Sequence, residues 1–148
     1  MKKSMKRSVM VVALVLFMSQ LSFGHCQIPC GIYNDPQRIA IIAEHITTIE
    51  KSMNEINKLA KSGENPNQLA RWVSNKEEYA VQIQTIVTDY FMTQRIKPGQ
   101  ENYSQKLALL HKMLLLSMKA KQTTSLDVVK DLRTTLSSFE KLYIGHSH

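Results

Sequence analysis

Residues 39–60 read IAIIAEHITTIEKSMNEINKLA, and the apolar positions Ile39, Ile42, Ile46, Ile49, Met53, Ile56 and Ala60 recur in alternating steps of three and four. On a helix such steps return to one azimuth, so the stretch predicts a single apolar seam along a long helix, whereas a strand would need strict alternation. Asp35 followed by Pro36 predicts the entry, a capping side chain ahead of a proline at the first helical position. The run SGENPN at residues 62–67 ends the helix.

The rest of the body repeats this pattern. A second helix is predicted from about Gln68 to Arg95, with Leu69, Val73, Ala80, Ile83, Val87 and Tyr90 on one face, and KPGQEN at residues 97–102 ends it. A third, from about Tyr103 to Lys121, carries Leu107, Leu110, Leu114 and Met118 and closes at QTTS. The fourth starts with Ser125 as N-cap and carries Val129, Leu132, Leu136, Phe139 and Tyr143. Four helices with short joints predict an all-α fold, an antiparallel four-helix bundle. There is no alternating strand pattern, glycine-rich phosphate loop or internal repeat. His111 lies beside the stripe of the third helix and reads as a hydrogen-bonded structural histidine; His45 faces away from its seam and reads as solvated. His146 and His148 belong to a short C-terminal tail. None of the four is assigned a role.

The chain begins with Lys2, Lys3, Lys6 and Arg7, then an apolar run from Val9 to Met18, then a short polar stretch ending in small residues. This is the layout of a secretory signal peptide, because ten apolar residues fall well short of the roughly 20 that a spanning helix needs. Ser22 and Gly24 supply the small side chains that place cleavage between Gly24 and His25. The expected organisation is therefore a removed segment at 1–24 and one domain at 25–148, exported to the periplasm or the extracellular space if the source is bacterial, without stable membrane association after processing. Residues 1–24 hold four of the 19 basic residues and none of the 12 acidic ones, so the remainder carries 15 against 12, a net +3. Its lysines are scattered among acids and no basic run is interleaved with aromatics, which argues against nucleic acid. A mild positive field suits an anionic small substrate.

With no acid–base constellation on the helices, the chemistry falls to SFGHCQIPCGIY at residues 22–33, which holds both cysteines. In an exported protein two cysteines read first as a disulfide. A bridge between Cys26 and Cys30, however, closes so short a loop at a chain end that it constrains little of the unfolded state. The second reading is a metal. With His25 terminal, its α-amine and imidazole, the Cys26 amide nitrogen and thiolate, and the Cys30 thiolate can converge on one ion. A planar set of nitrogen and sulfur donors departs from zinc's tetrahedral preference and points to divalent nickel or copper.

HCQIPCGIY at residues 25–33 resembles the His-Cys-x-x-Pro-Cys-Gly-x-Tyr hook of the nickel-dependent superoxide dismutases, at the position that family gives it, directly after leader removal. The body is similar too, with a four-helix length and the element DYF at Asp89, Tyr90 and Phe91. The resemblance implies a metal-binding hook ahead of the bundle, with His25, Cys26 and Cys30 as nickel ligands, the His25 imidazole axial, and one nickel ion per subunit. It implies a superoxide dismutase that forms oxygen and hydrogen peroxide while nickel alternates between its divalent and trivalent states. Tyr33 and Tyr90 match the tyrosines that gate and orient the anion beside the metal, and the implied assembly is a homohexamer. The chain departs from the family at Gln27, where Asp is common. The glutamate and arginine that orient the axial imidazole have only positional counterparts, Glu44 and Arg71, each of which reads more simply as solvated.

Two rival readings compete with the dismutase. One is an exported helical metal-binding or trafficking protein without turnover. The other is a secreted bundle with a structural Cys26–Cys30 disulfide. Turnover separates the first rival from the dismutase, and metal content separates the second from both.

Overall fold

A computed structural model describes residues 29–63 and 65–145. His25, Cys26, the predicted signal segment, and His146 and His148 lie outside the described residues. The chain divides into two units, Met1–Cys30 and Gly31–His148. The described helices belong to the second. Among the described residues there is no strand.

Helix α1 spans Asp35–Ser62, α2 Pro66–Thr85, α3 Tyr103–Gln122 and α4 Leu126–Ile144, and α2 runs on into a π-helical segment, Ile86–Arg95. Each helix packs on its neighbours in sequence, and α1 also packs on α4, which closes the antiparallel four-helix ring. The predicted seam of α1 is the centre of the core: Ile42, Ile46, Ile49 and Met53 are fully buried, while Ala60, past the last buried turn, is exposed. Against them lie Ala80 and Ile83 of α2, Val87 and Phe91 of the π segment, Leu110 and Met113 of α3, and Leu132 and Phe139 of α4.

Five expectations are corrected. Asp35 does not cap α1. Asn34 does, accepting from the Gln37 amide at 3.1 Å, because the Asp35 carboxylate is engaged elsewhere and becomes the first helical residue. Val73 is exposed, and Lys76 is buried instead, 3% exposed. The Lys76 ammonium donates to the carbonyls of Ala120 at 2.8 Å and Lys121 at 2.5 Å, so a lysine of α2 satisfies the carbonyl end of α3, where the helix dipole favours a cation. On α3 the buried stripe is Leu110, Met113, Leu116, Ser117 and Ala120. Met118 faces out, Leu107 and Leu114 are half-buried, and His111 is exposed rather than structural. His45 is also not solvated. It is half-buried with its ring 5.1 Å from that of Tyr79, and burial, opposed by Glu44, pulls its pKa below the ordinary histidine value.

The chain turns between helices by local devices. Gly63 takes φ 66°, a left-handed conformation that a side chain disfavours, and its amide returns to the Leu59 carbonyl at 3.1 Å. Asn65 accepts from the Gln68 amide at 3.2 Å and Ser125 from the Asp127 amide at 3.4 Å, each capping the helix that follows.

The π segment has a local cause. Thr88 donates to the Gln84 carbonyl at 2.9 Å, Thr93 to the Thr88 carbonyl at 2.7 Å and Gln94 to the Asp89 carbonyl at 2.8 Å, so three side chains compete for the acceptors of the backbone ladder. The Ile96 amide then reaches back five residues, to Phe91, at 2.9 Å. Phe91 packs edge-on at 5.0 Å against both Tyr90 and Phe139, fixing the widened turn to α4. Replacing Phe91 with Ala is expected to cost about 3–5 kcal/mol, read as a lower denaturant midpoint in urea with an unchanged slope.

Candidate functional site

One end of the bundle gathers the start of α1, the end of the π segment and the last turn of α4 around the Asp35 carboxylate. Its Oδ1 accepts from the Tyr90 hydroxyl at 2.5 Å and from Arg95 Nε at 2.9 Å. Its Oδ2 accepts from Arg95 Nη2 at 2.6 Å and from the Tyr143 hydroxyl at 2.8 Å. A guanidinium fork meets both carboxylate oxygens, the geometry in which arginine binds most specifically.

The π register makes this possible. Tyr90 and Arg95 are five residues apart, and on an α-helix they would point about 140° away from each other. The i→i+5 turn brings both onto the side facing Asp35.

The electrostatics follow from the partners. Burial works to raise the Asp35 pKa, but the hydrogen bonds from Arg95, Tyr90 and Tyr143 outweigh it and hold the carboxyl below its usual value. Burial, followed by the hydrogen bond to Asp35, pushes Tyr90 up to about 12 and raises Tyr143 as well. The hydrogen bond to Asp35 raises Arg95 against the opposing effect of burial. At neutral pH the cluster is one carboxylate, one guanidinium and two neutral phenols.

The two sequence-predicted tyrosines meet here. Tyr33 and Tyr90 stand edge-to-face with ring centroids 5.9 Å apart. The Arg95 guanidinium lies 4.3 Å from the Tyr33 ring centroid and that of Arg38 5.2 Å from the Tyr90 centroid, which pins each ring by cation–π attraction. The two phenols differ in what their hydroxyls can do. Tyr90 is 3% exposed with its hydroxyl committed to Asp35, whereas Tyr33 is 41% exposed and its hydroxyl makes no hydrogen bond among the described residues.

Of the predicted metal ligands, only Cys30 falls among the described residues. It is exposed, and Gly31 after it takes φ 77°. Among the described residues no group of three or more His, Cys, Asp or Glu side chains could hold a metal. Two thiols and an imidazole within residues 25–30 are the soft and intermediate donors that fit nickel. Glu44 and Arg71 are exposed and stand outside the tyrosine cluster.

Sequence reasoning missed Asp35, Arg95 and Tyr143 as members of this cluster. Asp35 read as a cap, Arg95 as a helix end and Tyr143 as a seam residue. No local signal joins them, since their contacts span most of the chain.

A carboxylate whose folded pKa lies below its unfolded one stabilises the fold fully above the unfolded value, near 3.8, and loses that stabilisation as pH falls through the folded value. Asp35→Asn is expected to cost about 2 kcal/mol at pH 7, a figure set by charge-assisted hydrogen bonds in a partly exposed site. Its stability, followed by thermal melts from pH 7 to pH 2, should fall less steeply below about pH 4 than that of the native chain.

Comparison with known proteins supplies the family. No curated protein and no solved structure matches the chain. The family model for nickel-containing superoxide dismutase matches residues 20–147, which covers the hook residues and the whole bundle. On that match the chain belongs to the nickel-containing superoxide dismutase family, an oxidoreductase with nickel as cofactor and superoxide as substrate.

Proposed function

We propose that nickel is held by the α-amine and imidazole of His25, the amide and thiolate of Cys26 and the thiolate of Cys30, one ion per subunit, after residues 1–24 are removed. Bound there, nickel would supply one-electron chemistry between its divalent and trivalent states, which anionic thiolate and amide donors bring within range. The observation that carries this reading is the meeting of Tyr33 and Tyr90, two residues distant in sequence, in one aromatic cluster three residues beyond Cys30.

The side chains divide the remaining work. Tyr90, protonated at neutral pH and tied to Asp35, is a fixed wall that carries no charge to repel an anion. Tyr33 presents an exposed hydroxyl donor, with its ring held by Arg95. Asp35 stays ionised and is therefore not a proton donor at neutral pH. Arg95 offsets its charge, so the cluster presents the Tyr33 hydroxyl to superoxide without net repulsion. Export places the protein in the periplasm or outside the cell if it is bacterial, and a homohexamer would shield each hook from water.

Several measurements test this. Cys26→Ser and Cys30→Ser should each bring dismutation to background while far-ultraviolet circular dichroism stays near wild type; loss of the helical signal would favour a structural disulfide. His25→Ala keeps the amine, the Cys26 amide and both thiolates, so nickel should remain bound while most turnover is lost. Dismutation at the native rate in that variant would remove the redox role of His25. Any residue left ahead of His25 should abolish activity, because an acylated amine is no longer a metal donor. An active monomer in sedimentation at dilute concentration would exclude the hexamer.

A further inference from the structure

Beside the tyrosine cluster lies a cavity of about 560 Å³, lined by Tyr33, Asp35, Arg95, Glu101, Lys106 and Tyr143 among others. Lys106 is the unusual member. It sits in the first turn of α3, is only 6% exposed, and among the described residues its ammonium makes no hydrogen bond and no ion pair. Among the described residues, the contact its ammonium makes is with the face of Tyr143, 5.5 Å from Nζ to the ring centroid. Burying an ammonium on an aromatic face alone is costly, since cation–π attraction recovers only part of the lost hydration. The acids nearby do not relieve it: Asp35 is saturated by Arg95, Tyr90 and Tyr143, and Glu101 is exposed. The first turn of α3 adds to the positive potential, because the N-cap Asn102 makes no side-chain hydrogen bond to its amides.

We propose that this cavity binds a small monovalent anion through Lys106, with the Tyr33 hydroxyl as a second donor, and that superoxide is the anion it takes. Only the identity of the anion as superoxide rests on the dismutase reading. Tyr33, one of the lining residues, is exposed and its hydroxyl makes no hydrogen bond among the described residues, while Arg95 is neutralised and serves as wall. Lys106 is the charge that remains to attract an anion, and such a charge in a low-dielectric recess raises the encounter rate in a salt-dependent way.

The test uses the processed, nickel-loaded protein, with azide as the probe. Backbone amide shifts on azide titration should change around Glu101, Lys106 and Tyr143, disappear in Lys106→Met and persist in Lys106→Arg. No azide-dependent shift at these amides would overturn the site. In the second arm, the second-order rate constant for superoxide should fall severalfold in Lys106→Met, its decline with ionic strength should flatten, and Lys106→Arg should restore both. Azide binding with an unaltered ionic-strength slope would overturn the assignment of superoxide as occupant. If the native protein dismutes no superoxide, the dismutase reading fails while the azide titration still decides the site. Finally, Lys106→Met should melt no lower than the native chain, since it removes a buried charge without a fixed partner. A lower melting temperature would reveal a fixed carboxylate partner and overturn the proposal.

Discussion

The Asp35 carboxylate is the point on which this end of the molecule depends. It receives four hydrogen bonds from three side chains, contributed by the end of the π segment and the last turn of α4, while standing itself at the first residue of α1. Heptad packing alone would let the helices slide by a turn without changing which faces are apolar. A single carboxylate gripped by a guanidinium fork and two phenols allows no such slip, because any shift strands partly buried donors. The clamp therefore sets the level at which α1 begins relative to its neighbours, and with it the position of Tyr33, whose ring rests on the clamped Arg95.

That clamp explains the long π segment. A ten-residue departure from α geometry gives up ladder quality and needs a return. Here the return is the simultaneous aim of Tyr90 and Arg95 at one acceptor, with Phe91 turned between them into the α4 aromatics. Thr88, Thr93 and Gln94 lower the cost by bonding to carbonyls that an α-helix would have used. Local sequence and long-range pairing favour the same wide turn, the agreement between levels that marks a specified structure.

Legibility in the sequence followed the range of the interaction. The seam Ile39–Ile56 could be read because helical burial repeats every three to four residues, and its members are buried as expected. The same logic failed at Val73, where one methylene-rich lysine, Lys76, is buried in place of an apolar side chain because its ammonium could reach the carbonyl end of α3. Lysine carries no periodic signal of burial. The hook at residues 25–33 could be proposed from a contiguous pattern in the sequence, whereas the cluster behind Tyr33 could not, because Asp35, Arg95 and Tyr143 are joined only by the closed ring of helices. Tyr90 was readable as functional or as core, and its burial with a hydroxyl committed to Asp35 bears out the core reading.

The two tyrosines are therefore chemically unequal although they touch. A phenol hydroxyl that donates to an ionised carboxylate has no proton left to offer an approaching anion, and its raised pKa keeps it neutral across the physiological range. The exposed hydroxyl of Tyr33 retains that capacity. A bundle that held both rings by their hydroxyls would be more rigid but would present no donor; one that held neither would leave the rings free to rotate. Holding Tyr90 by its oxygen and Tyr33 by its face, through Arg95 at 4.3 Å, fixes both planes and leaves one hydroxyl available. The guanidinium can serve both residues because its edge is occupied by Asp35 and its flat face is not.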